Sequence, residues 1–381
     1  MSNKTWWYIS SAICVACVLL IYLMWYSAID RYRPSEEQIV STDVAERYLS
    51  GLHYDGAHSQ PRVYVPTGVF VQSLKFVNAS DVNITGYLWQ RYDRNENGDL
   101  LQRFDDFKTV PGFVLPEQVD SVNTVIDEGY RREDGSELTI GWYFDVTLRQ
   151  PFDYSLYPLD QHNVWIRLWH QEFDGNVVLV PDLSSYKDTA AGVAFGLDHE
   201  LVPGGWKIEE TFFFYRSENY DTDFGIDSYI GQTGFPELHF NVVVSRKFMN
   251  AFVINLVPLI VVITLLFSVM MIVTSDEKKM GTFGFSTSGA LGTASALFFV
   301  VMLAHIQLRE QFAGAGIVYL EWFYLVTYVA ILLVSLDIYV FTAGKPEGRL
   351  RFVFYRDNLL AKLLYWPTIL VTLTLVTLWF F

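Results

Sequence analysis

Five long apolar runs divide the chain, at 6–29, 252–273, 283–308, 317–341 and 363–381. Each meets or approaches the roughly 20 residues that an α-helix needs to cross the hydrocarbon core of a bilayer, so five membrane helices are expected. The polar region between the first and second runs has a different rhythm. Short segments rich in β-branched and aromatic residues recur at 69–76, 84–89, 138–148, 164–169, 177–180 and 238–244. Asn97-Gly98, Asp134-Gly135, Asp174-Gly175 and Gly204-Gly205 punctuate them. This spacing predicts an antiparallel β-sandwich, with a short helix at 36–49 ahead of it. The last of these strands runs into the second span through Ser245-Arg246-Lys247, a join short enough for mechanical coupling. The expected architecture is a membrane protein: an N-terminal anchor or signal segment (1–29), an extracytoplasmic antiparallel β-sandwich (30–248) and a four-helix transmembrane domain (249–381).

Composition supports this division. Of 381 residues, 51% are hydrophobic and 18% charged, a membrane-like balance. The net charge of -15 excludes a nucleic-acid partner, because nothing would neutralise phosphates. Cys14 and Cys17, the two cysteines, both lie in the first apolar run, so the polar region has no disulfide framework. That run is longer than an ordinary signal core, and the bulky Trp25 and Tyr26 sit where cleavage wants small side chains; an anchor fits it better than a signal. Lys345, Arg349, Arg351, Arg356 and Lys362 outnumber Glu347 and Asp357 between the last two runs, which puts that segment in the cytoplasm. The turn holding Asp276, Glu277, Lys278 and Lys279 falls on the same side. The polar domain and the 309–316 loop are then outside, although Arg31 and Arg33 weaken the signal. No nucleotide loop, zinc spacing or nucleophile motif occurs, so neither enzyme chemistry nor a cofactor is expected.

The third run is the unusual one. Residues 286–296 (STSGALGTASA) are small or hydroxylated except at Leu291. Small residues serve close helix packing. They also serve a pore, where polar rings replace part of an ion's hydration and an apolar ring closes by dewetting. Ser286, Ala290, Thr293, Leu297, Val300 and Ala304 share one helical face and form the expected pore row. A second candidate face holds Thr282, Ser286, Gly289 and Thr293.

Four stretches in the same order resemble the pentameric ligand-gated ion channels, in particular bacterial homologues of the Cys-loop receptors that lack the paired cysteines. Residues 65–77 with 86–93 look like the family's first strands. The loop at 152–161 (FDYSLYPLDQ) is similar to its Phe-Pro-Phe-Asp loop followed by Gln. Arg246 precedes a helix containing Pro258, and 318–325 (VYLEWFYL) resembles the start of the third channel helix. The resemblance covers roughly 60–345. The first apolar run is additional to the pattern, and the usual proline-rich loop is replaced by 311–316.

The resemblance implies a homopentamer in the bilayer, in a bacterial inner membrane with the sandwich in the periplasm or the extracellular space. A small molecule, ion or proton would act as agonist, and a cation-selective pore is weakly favoured by the acidic domain. It implies a gating interface of Tyr157, Pro158, Asp160, Arg246 and Arg309. It also implies a ligand site between subunits that uses aromatic faces, for which Tyr186, Tyr220, Phe224 and Tyr229 are candidates. His305 either titrates or packs between helices, and Asp337 must face protein or water. The 93–99 stretch opens like a calcium loop, but Phe104 stands where the bidentate acid belongs, and a plain Asn-Gly hairpin fits better. Asn78 and Asn83 begin glycosylation sequons that a bacterial source would leave unused. The alternative reading is a membrane-anchored sensor or binding protein that does not conduct.

Overall fold

The computed structural model describes residues 3–29, 36–51, 63–94, 100–101, 110–119, 124–173, 177–226, 234–275, 281, 286–314, 316–344 and 353–381. The helices are α1 (Asn3–Ile29), α2 (Thr42–Gly51), α3 (Phe248–Met271), α4 (Thr287–Gln311), α5 (Tyr319–Ala343) and α6 (Leu359–Phe380). The strands are β1 (Val63–Phe76), β2 (Asp81–Arg94), β3 (Leu100–Leu101), β4 (Phe113–Val114) and β5 (Val125–Asp134). They continue with β6 (Glu137–Arg149), β7 (Gln161–His170), β8 (Val177–Pro181), β9 (Trp206–Glu218) and β10 (Phe235–Arg246). Two compact units result. A sheet unit comprises Arg33–Phe152 and Gln161–Arg246, and a helical unit comprises Met1–Tyr32, Asp153–Asp160 and Lys247–Phe381.

The sheet unit holds two sheets. One runs β5-β6-β2-β1-β8 with β3 on β2, and the other runs β4-β7-β10-β9. Alternation of side chains sets their faces: along β7, His162, Val164, Ile166, Leu168 and His170 are buried and the intervening residues are not. The first sheet is mixed rather than antiparallel throughout, because β8 pairs parallel with β1 in the register Val63↔Val177. The chain leaves β7 in one sheet and enters β8 in the other, so the two consecutive strands cannot close as a hairpin.

Two strands escape the alternation rule. β5 is dominated by charged side chains and exposed along its whole length, as suits an edge strand; Tyr130 lies where a Cβ on Gly141 of β6 would sit, so the glycine makes room for the ring. β9 contains a bulge at Glu209, where the register to β10 slips between Val243↔Glu210 and Val244↔Ile208. Beyond the bulge, residues 210–215 are all buried, on both faces of the strand, so it shows no period-two pattern.

In the helical unit all five expected apolar helices form, and each is long and apolar enough to cross a membrane. A helix pairs its backbone polar groups within itself, as hydrocarbon demands. Pro258 lacks an N–H and its ring clashes one turn back; the preceding turn, Phe252–Leu256, widens into a π-helix. Pro367 in α6 likewise leaves the Leu363 carbonyl without its helical donor, and the Ser10 hydroxyl of α1 donates to that carbonyl at 2.8 Å. Further along, the Trp25 indole N–H donates to the Tyr319 hydroxyl, which also hydrogen-bonds Thr377 Oγ1, both at 2.8 Å. Residue 10 of α1 thus meets residue 363, and residue 25 reaches residue 377 through Tyr319, so α1 and α6 run parallel.

Gly86 in central strand β2 leaves no space for a side chain, since a Cβ would stand 2.1 Å from the Phe70 carbonyl oxygen. That contact is backbone and cannot rotate away. Gly86→Ala is expected to destabilise the sheet unit by on the order of 1–3 kcal/mol, visible as a lowered thermal midpoint by circular dichroism.

Candidate functional site

An aromatic and ionic cluster occupies one end of the sheet unit. Trp169 is the last residue but one of β7, Phe173 follows the strand, and Tyr220 and Phe224 come from the connection after β9. Trp169 meets Tyr220 and Phe224 edge-on at 5.7 and 6.3 Å, and Phe173 lies 5.6 Å from Trp169 and 5.7 Å from Phe224. Phe224 is 44% exposed and takes a left-handed backbone conformation (φ 53) that swings its ring back onto the cluster. Beneath the rings the Arg167 guanidinium pairs with Glu117 at 2.8 Å and with Glu237 at 3.4 Å, and stands 5.5 Å from the centre of the Trp169 ring. The Tyr220 hydroxyl donates to Glu237 at 2.5 Å. The cavity beside Trp169, Phe173, Tyr220 and Glu237 measures about 20 Å³, room for one water. Burial pushes the Glu237 carboxyl above its usual range against the Tyr220 hydrogen bond and the Arg167 charge, and it raises Glu117 against Arg167. Two carboxylates facing one guanidinium beneath mostly half-buried aromatic rings make a site whose chemistry suits an organic cation.

Sequence reading named Tyr220 and Phe224 but missed Trp169, Arg167, Glu117 and Glu237, which strands bring together from distant positions. Tyr186 is not with them. Its hydroxyl accepts from the Val69 N–H at 2.7 Å and donates to the Val69 carbonyl at 2.8 Å, and its ring packs on Phe195 at 4.8 Å. Tyr229, most of the 93–99 stretch, Thr282 and the 276–279 turn lie outside the described residues.

In the helical unit the 153–160 loop seats against the helices. The N–H groups of Tyr319 and Leu320, orphaned at the start of α5, donate to the carbonyls of Ser155 (2.8 Å) and Tyr157 (3.2 Å). The Tyr157 hydroxyl accepts from Asn255 Nδ2 in the π turn of α3 at 3.0 Å. Tyr154 and Tyr157 pack on Phe312, beyond the end of α4, with centroids 4.9 and 4.7 Å away. Pro158 follows a cis peptide bond, and Asp160 is buried. Arg246, in the sheet unit, stands 4.0 Å over the Trp206 ring. Arg309 donates to the Gly316 carbonyl at 2.8 Å and pairs at 3.3 Å with Glu321, a buried carboxylate absent from the sequence reading. His305 approaches the same carboxylate at 3.5 Å and stacks on Tyr324 at 5.1 Å. The signal for Glu321 was its charge near the start of an apolar run. Asp337 accepts from Asn358 Nδ2 at 2.6 Å and so faces protein, as expected.

The expected pore row divides on α4. Ala290 and Leu297 fall on the buried stripe with Ala294, Val301 and Leu308 and pack within the chain. Ser286 caps the helix by accepting from the Gly289 N–H; Ser286, Thr293 and Val300 are exposed, and Ala304 is half-buried. Opposite the buried stripe lie Ser288, Gly292, Ser295, Phe299, Leu303 and Ile306, all exposed.

No protein-family model matches the chain, and no curated protein matches it.

Burial pushes His170 down to about 4 and His239 down to about 3, from an ordinary 6.5. Both stay neutral when folded and take up a proton on unfolding below pH 6.5. Stability of the sheet unit therefore falls as pH drops from 6.5 toward 4. The raised carboxyls of Glu117 and Glu237 favour the folded state on protonation and offset part of that loss. His239→Gln removes one of the two protons, so its thermal midpoint is expected to decline less steeply across this window than that of the parent. Equal slopes in a melt series would refute the assignment to His239.

Proposed function

We propose that this chain is one subunit of a pentameric ligand-gated ion channel, with the two sheets forming an extracytoplasmic sandwich and α3 to α6 forming the channel domain. The observation that carries the reading is the 153–160 loop. It leaves β6 and re-enters β7, yet its carbonyls cap α5 and its Tyr157 grips the π turn of α3. A displacement of those strands would reach the helices through hydrogen bonds rather than through a slack linker, which is what a two-state channel requires of its ligand-binding domain.

On this reading the pore row is the face of α4 turned away from its own bundle: Ser288, Gly292 and Ser295, then Phe299, Leu303 and Ile306. The gradient from small and hydroxylated to large and apolar is the one expected from sequence, rotated by roughly 140° about the helix axis. Phe299 and Leu303 would form the dewetting constriction. The aromatic cluster at Trp169, Tyr220 and Phe224 would receive a small organic cation at the boundary with a neighbouring subunit, and the pore would favour cations. The helix ends near 345–358 would face the cytoplasm.

Current through planar bilayers during steps of small amines tests this. Amine-evoked cation current is expected, with Phe299→Ala raising the current without agonist and Trp169→Ala shifting the half-activating amine concentration upward about tenfold, in line with a desolvated cation–π contact. Both substitutions leaving an evoked current unchanged would overturn the assigned pore row and ligand site. A folded protein that is not pentameric and passes no current would overturn the channel and favour the non-conducting sensor.

A further inference from the structure

α1 and α6 do not close against each other at the end where both begin. Between them lies a cavity of about 290 Å³ lined by Ile9 and Ile13 of α1 and by Leu360, Leu364 and Pro367 of α6. The polar group that could spoil this lining is taken, because Ser10 donates to the Leu363 carbonyl that Pro367 leaves unpaired. At the end where α6 starts, the wall changes character: Tyr355 and Arg356 complete it, with the Arg356 guanidinium 5.3 Å from the Tyr355 ring centre. Trp6 lines the cavity from α1, and Lys4 stands at the same helix end, exposed.

The turn that presents Arg356 is held firmly. Arg356, Asp357 and Asn358 all take left-handed backbone conformations (φ 48, 63 and 61), a strained run for residues other than glycine that persists only where contacts over-determine it. Those contacts come from its neighbours. Asp357 accepts from Thr274 Oγ1 and from the Ser275 N–H, both at 2.7 Å, and Asn358 donates to Asp337. These bonds tie the turn to the end of α3 and to α5. A water-soluble anion would gain nothing from the long apolar wall, and an uncharged chain would gain nothing from the guanidinium.

We propose that this cleft binds one anionic glycerophospholipid per chain, its phosphate on Arg356 and one acyl chain along Ile9, Ile13, Leu360 and Leu364. A basic group at an interfacial aromatic belt, above an apolar slot between two spans, has the chemistry of such a lipid. α1 is then a permanent wall of the lipid site, and the assignment holds whether or not the chain conducts.

The test is native mass spectrometry of the full chain after equilibration in nanodiscs containing equal phosphatidylglycerol and phosphatidylcholine. The intact mass should include α1, and one phosphatidylglycerol per chain should be retained, preferred about fivefold over phosphatidylcholine, the effect of one basic residue near the membrane surface. Arg356→Gln should abolish the preference, Arg356→Lys should keep most of it, and Ile13→Trp, which fills the slot, should reduce retention of both lipids. Equal retention of the two lipids by the parent chain, an undiminished preference in a folded Arg356→Gln, displacement by inorganic phosphate alone, or a mature chain lacking α1 would each overturn the proposal. Should Arg356→Gln fail to fold, the parent's preference and its loss of lipid in Ile13→Trp decide the matter.

Discussion

The two hydrogen bonds from the Tyr319 and Leu320 N–H groups to the Ser155 and Tyr157 carbonyls carry more consequence than their number suggests. The start of a helix exposes N–H groups that must find partners. Here a loop arriving from between two strands supplies them. Because unpaired backbone groups are costly when buried, the loop is held to α5, and the Tyr157 side chain is held with it against Asn255. Phe312, beyond the end of α4, lies under the same tyrosines. Three helices are thereby referenced to one short segment of the chain.

The same accounting explains the helix breaks. Each proline in a span removes one donor, and the neighbouring structure answers each removal differently. Pro258 is accommodated by a π turn that also turns Asn255 toward Tyr157. Pro367 is accommodated by a hydroxyl from another helix, which makes α1 part of the bundle's hydrogen bonding. Hydroxyls elsewhere, such as Thr327 and Ser335, bond the carbonyl one turn back and place no demand on lipid. Charged groups follow the rule as well: Glu321 lies between Arg309 and His305, and Lys362 donates to the carbonyls of Val273 and Asp357.

In the sheet unit the aromatic cluster combines an apolar roof with a charged floor. Burying Glu237 and Glu117 costs solvation, and the single guanidinium of Arg167 offsets only part of it. The floor therefore retains an appetite for positive charge, while the rings above it present the faces that a cation favours. The cavity beside these rings has room for one water.

The sequence by itself determined the number of apolar helices, the position of the sheet region between the first and second, and most of the strands. These features rest on short-range periodicity: a span needs only its own length of apolar residues, and a strand with one buried face alternates along itself. β5 was missed because it is a charged edge with no buried face, and β9 shows no period-two alternation because residues 210–215 are all buried. Tyr220 and Phe224 were legible as exposed aromatics in a long connection, but not the Arg167, Glu117 and Glu237 beneath them, whose meeting depends on the pairing of β7 with β10. The face of α4 was beyond sequence for a related reason. A helix with small residues on several sides offers several packing faces, and the choice of Ala290, Ala294, Leu297 and Val301 as the buried one was made by the neighbouring helices. Only the tertiary structure could decide that, because a helical face is defined by what packs against it.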